Sequence, residues 1–88
     1  MSAPAGSDNA IIYASSINRD ETVRFLASLG CYIDHQNSDG RTALMLAANR
    51  GYRKTVSTLL ELGANKYIMD KKGKTAKDWS ERDTRLLL

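Results

Sequence analysis

Apolar residues along this chain fall into short stripes of helical spacing, separated by polar turns that end on glycine. Leu44, Ala47 and Ala48 stand at i, i+3 and i+4, which places them on one face of a helix predicted over 43–50. Thr42 sits at the N-cap position, where its hydroxyl can accept an orphan backbone N–H, and Gly51 stops the helix. A second helix follows over about 53–62, with Val56, Leu59 and Leu60 as its stripe and Gly63 just past its end. Two antiparallel helices joined by a short turn form a hairpin with apolar surface on both flanks. Such a hairpin needs neighbours.

The neighbours lie in the same sequence. Gly30 falls on Gly63 and Gly40 on Gly73, an offset of 33 residues, and Val23 falls on Val56 at the same offset. A fixed period of this size marks stacked helical units. In the first unit Ile11, Tyr13 and Ala14 replace Leu44, Leu46 and Ala47. Val23, Leu26 and Ala27 carry the second stripe, thickened by Phe25. Asn9 is expected to cap the first helix, and Asn18 with Glu21 to form a capping box on the second. Between the units, Ser38-Asp39-Gly40-Arg41 reads as a tight turn in which Asp39 bonds its own backbone. The third unit repeats the turn and cap over 70–76, places Trp79 in register with Leu46 and Tyr13, and then turns polar. Residues 82–88 suffice only for a short helix held by packing, so this unit reads as a terminal cap with a wet outer face.

The run Asp39-Gly40-x-Thr42-x-Leu44-x-Leu46-Ala47-Ala48-x-x-Gly51, followed by Val56, Leu59-Leu60 and Leu62-Gly63-Ala64, resembles the ankyrin repeat family. The resemblance implies an all-α helix-turn-helix solenoid with short β-turn or hairpin-like tips. It implies one domain over 9–88 with repeats of about 9–37, 38–70 and a partial 71–88, behind a flexible tail over 1–8. The chain departs from the family pattern at Ala43 (a proline in the family), at Met45 and Tyr52 (histidines) and at Thr58, which breaks a leucine run. Lys66 takes an apolar site that Ile33 fills in the first unit. Loss of the histidine at Met45 implies loss of its hydrogen bonds between neighbouring turns. Two and a half repeats are few, which implies a loosely held monomer, or a stack completed by a partner or by self-association.

Composition narrows the chemistry. The single cysteine, Cys31, excludes a disulfide framework and reads as a buried small residue in the slot matched by Ala64. The first residues lack the pattern of a secretory signal, and no apolar run reaches the roughly 20 residues of a membrane span, so cytoplasmic or nuclear residence is expected. No metal-ligand spacing, phosphate loop or catalytic set is legible, so no cofactor, metal, small-molecule substrate or catalysis is expected. Net charge is +3, unevenly placed: residues 41–77 set nine cations against Glu61 and Asp70.

Ankyrin repeats bind through turn tips and the inner helix face. The resemblance therefore implies a partner-binding surface at Gln36, Ser38, Asp39 and Arg41 on one tip. Asn49 and Arg50 would join it from the inner helix, and Met69, Lys71, Lys72 and Lys74 from the next tip. None of these is required to pack a helix, so their side chains are expected to be free. Five are cationic, which points to an acidic protein segment. Trp79 is expected in a core or capping role. The alternatives are a structural or adaptor subunit completed at its truncated C-terminal end, and nucleic-acid binding, against which the poor aromatic interleaving argues.

Overall fold

The computed structural model describes residues 7–88, and among these six helices follow one another in three pairs with no strand. The first pair is α1 (Ser7–Ser16) and α2 (Asp20–Ser28), the second α3 (Ala43–Asn49) and α4 (Arg53–Glu61), the third α5 (Ala76–Trp79) and α6 (Arg82–Arg85). Most of the expected tail lies outside the described residues, and its last two positions already belong to α1. The inner helices stack in the order α1, α3, α5, while α2 packs on α4 and α6 closes over α3 and α4.

The stripes read from the sequence form the core. Leu44, Ala47, Ala48, Val56 and Leu59 are buried, together with Ile11, Ile12, Ala14 and Val23. Each fully buried Val, Leu or Ile contributes about 1.5–3 kcal/mol relative to an exposed one. Cys31 is buried as expected, and Leu26, Leu60, Leu62 and Ala64 pack against the cluster. Thr42 caps α3 by accepting from the Met45 amide, and Thr75 with Asp78 forms a capping box on α5.

The third pair shows how packing replaces length. Four residues cannot sustain a helix alone, yet α6 is held because it satisfies the C-terminal end of α3. The Ala48 carbonyl accepts both the Glu81 amide, at 2.9 Å, and the hydroxyl of fully buried Thr84, at 2.7 Å. Beyond α6, Leu87 and Leu88 pack on the core while Leu86 stands exposed.

Four local expectations are corrected. Asn9 does not cap α1 but lies within it, its carboxamide oxygen 3.0 Å from His35 Nε2. Asn18 and Glu21 form no capping box. Arg19 is the N-cap of α2, without a side-chain bond. Asn18 instead takes the left-handed conformation (φ 60°) of its counterpart Gly51 (φ 75°), and its carboxamide oxygen accepts from Thr55 of the next pair. Phe25 does not thicken the core stripe but is 61% exposed. The turn before α3 is closed by the side chain of Asn37, not Asp39: its Oδ1 accepts from the Asp39 and Arg41 amides.

Two glycines of equal conformation separate backbone strain from crowding. Gly40 (φ +78°) and Gly73 (φ +76°) hold equivalent turn positions, but a Cβ on Gly40 would meet Lys71 N at 2.9 Å, whereas nothing lies within 4 Å at Gly73. Gly73→Ala is therefore expected to cost only the left-handed penalty of about 1–2 kcal/mol, and Gly40→Ala more. Urea unfolding of the two variants checks this, and equal costs would show that the tips do not abut this closely.

Candidate functional site

The two tips are built alike from residues one period apart. Asp70 stands where Asn37 stands, and its Oδ1 accepts from the Lys72 and Lys74 amides at 2.9 Å each. Each turn is closed further by a backbone pair, Asn37 N to Arg41 O and Asp70 N to Lys74 O. The tips are then tied together. Lys71 N donates to Asp39 O at 3.2 Å, and Gln36 Nε2 donates to Gly40 O at 2.7 Å and to Met69 O at 3.1 Å. These bonds join the turns although Met45 replaces the family's histidine and is itself buried in the core.

Beneath the second tip lies Trp79, the chain's single tryptophan. Its Nε1 donates to Asp70 Oδ2 at 2.7 Å. The Arg41 guanidinium carbon is 4.3 Å from the indole centroid and the Lys74 ammonium 4.6 Å. A cation so placed over an indole gains about 0.5–2 kcal/mol. Burial raises the Asp70 carboxyl, but the Lys74 amide, the indole, the Lys72 amide and the Arg41 charge outweigh it and hold the group below the usual carboxylate range. The Thr75 amide and hydroxyl do the same for Asp78.

Eight of the ten expected contact residues gather at the two tips, while Asn49 and Arg50 stand exposed at the far end of α3, about 10 Å along the helix. The expectation that all these side chains are free is corrected for three. Gln36 holds the tips together, and Arg41 and Lys74 lie on Trp79. Ser38, Asp39, Met69, Lys71 and Lys72 are exposed. Asp39, Arg41, Asp70, Lys71 and Lys72 line a depression between the tips. A second depression, at the α1–α2 turn, is lined by Asn18, Arg19, Asp20, Glu21 and Thr22 and holds none of the expected residues. Sequence reasoning missed Asn37 and the bracing role of Asp70. The 33-residue offset that superimposes them was the available signal.

Three stacked helical hairpins with paired, mutually bonded turns define a solenoid repeat protein. A family model described as ankyrin repeats (3 copies) matches residues 3–78. The chain belongs to the ankyrin repeat family. It is 36% identical over 63 residues to the ankyrin repeat and KH domain-containing protein mask-1 of Caenorhabditis elegans, covering 72% of this chain and 2% of that protein. It is 33% identical over 85 residues to mouse Rabankyrin-5, covering 82% of this chain and 7% of that protein. To protein HOS4 of Saccharomyces cerevisiae it is 45% identical over 60 residues, covering 67% and 5%. The chain thus spans a small part of the length of these relatives. Ankyrin repeats generally serve as protein–protein interaction modules and are generally non-catalytic. Among the described residues no helix is long and apolar enough to cross a membrane, and no three His, Cys, Asp or Glu residues group as a metal site.

The two lowered carboxyls give a pH dependence of definite sign. A depressed folded-state value means that the contribution to stability is complete above the unfolded value, about 3.9 for Asp, and is lost as pH falls through the lowered folded values. Urea unfolding followed by Trp79 emission is expected to lose stability between about pH 5 and pH 2, with a shallower loss in Asp70→Asn. An unchanged slope in that variant would remove Asp70 as a source of the effect.

Proposed function

We propose that this chain is a non-catalytic protein-interaction module that grips an acidic protein segment along its turn tips and the exposed end of α3. The observation that carries the reading is the pair of exposed cations Lys71 and Lys72 beside Arg41 at the depression between the tips. Those lysines pack no helix, and their backbone is fixed by Asp70 and by the neighbouring tip, so the charges stand on a rigid base. Arg50 extends the positive surface from the inner helix. Exposed charge pairs are individually worth only about 0.2–1 kcal/mol, so affinity would come from several acting together and would fall with salt. The repeat boundaries, about 9–37, 38–70 and 71–88, belong to the same reading, as does residence in the cytoplasm or nucleus.

The combined variant Arg50→Glu, Lys71→Glu and Lys72→Glu is expected to bind a labelled Glu-rich peptide at least about tenfold more weakly, roughly 1.4 kcal/mol. Fluorescence anisotropy at two salt concentrations measures this. Unchanged, salt-independent binding would sink the proposal.

A second reading, a subunit completed by a partner or a second copy, is favoured by one observation at the first pair, not at the C-terminal end. Phe25 occupies the position of Thr58 one period on; Thr58 is buried and receives a hydrogen bond from Arg24 of the first pair, whereas Phe25 is exposed. Tyr13 and Leu29 are exposed likewise, while their counterparts Leu46 and Leu62 pack against the core. The face that the first pair covers on the second is thus apolar and uncovered on the first. Sedimentation of the chain and of Phe25→Ser tests for self-association. A monomer in both cases excludes a second copy as the cover of that face.

A further inference from the structure

We infer that Trp79 is the positioning residue of a carboxylate-reading site, in which the guanidinium of Arg41 takes an Asp or Glu side chain of the bound segment. The inference rests on the acidic-segment reading given above and assigns its anchor. Arg41 is half-buried with its guanidinium 4.3 Å from the indole centroid, so its long side chain is ordered before any partner arrives. A planar fork held in place loses little further freedom on pairing, and its geometry matches the two oxygens of a carboxylate.

Among the described residues the charge of that fork is offset by Asp70 from beyond ion-pair distance. The buried Arg41 Nε has no acceptor, and among the described residues no carboxylate lies within ion-pair distance of it. Of the two acids that share its depression, Asp70 is already committed: Oδ1 takes the Lys72 and Lys74 amides and Oδ2 takes the Trp79 indole. Asp70 therefore braces Trp79, and Trp79 supports Arg41. Lys74 lies over the same ring at 4.6 Å, and Lys71 and Lys72 flank the depression, so two side-chain carboxylates, Asp39 and Asp70, face the three cations Arg41, Lys71 and Lys72 there. An incoming carboxylate relieves that imbalance. A phosphoryl group would bring a second negative charge against Asp39, which lines the same depression, so the geometry points to a carboxylate.

Three labelled peptides of equal length test this on the full chain: Glu-rich, its Gln counterpart, and its phosphoserine counterpart. Binding is read by anisotropy and by Trp79 emission. The Glu peptide is expected to bind and to shift the emission, and the Gln peptide to do neither. Arg41→Lys keeps the charge but loses the fork, and is expected to weaken Glu-peptide binding about tenfold. Trp79→Leu leaves Arg41 in the chain but removes its support, and is expected to weaken binding to a similar degree. Trp79→Phe keeps a ring under the cation and is expected to recover part of the loss, which a purely structural role for the indole would not produce. Circular dichroism and thermal melts confirm that Arg41→Lys and Trp79→Phe remain folded. Glu-peptide binding that Arg41→Lys leaves unchanged overturns the inference while the broader acidic-segment reading stands. Phosphoserine binding about tenfold tighter than Glu binding overturns the carboxylate assignment. No binding of the Glu peptide to the unaltered chain overturns both.

Discussion

The structure depends on the burial of five of the seven residues of α3. Ala43, Leu44, Met45, Ala47 and Ala48 are each 1% exposed or less, because α1 covers one flank, α5 the other, and α4 and α6 the rest. The small side chains of Ala47 and Ala48 let those neighbours approach the helix closely. Enclosure also creates a demand, since the carbonyls at the end of a helix lack partners within it. Thr84 and the Glu81 amide meet that demand at Ala48, which is why a helix as short as α6 exists at all.

Where the core is laid down by apolar burial, the tips are laid down by polar side chains acting on backbone. Asn37 and Asp70 each accept two amides of the turn that follows, and the turns then bond to each other through Lys71 and Gln36. The two positions differ in one respect that shapes the surface. A carboxylate at 70 can also take the Trp79 indole, and the indole then carries two cations on its face. The positive rim and the third helical pair are therefore mechanically one object.

Much of this was legible in the residues, since period and burial are properties of spacing. Leu44, Ala47, Ala48, Val56 and Leu59 declare their face by position, and Thr42 and Thr75 declare their caps. What escaped was whatever required knowing the neighbour. Phe25 looked like core because its own helix is amphipathic, but the side it occupies is covered only when another pair precedes it. Asn18 looked like a cap, but the next pair supplies Thr55 as its partner and the backbone turns left-handed there. The candidate surface was readable as a charge cluster. That Arg41 and Lys74 lie on an aromatic ring was not, because the spacing from 41 to 79 says nothing of contact.

Side-chain hydrogen bonds that cross from one helical pair, with its following loop, to the next join residues 22 to 37 apart. Each pair thus leans on its immediate neighbour, and support is relayed along the chain from pair to pair. Such an object can open from one extremity like a stack losing its outermost plate. The outermost plate at the start carries Tyr13 and Phe25, and the plate at the other extremity carries Trp79, so fraying of the first would leave the aromatic bracing of the last undisturbed.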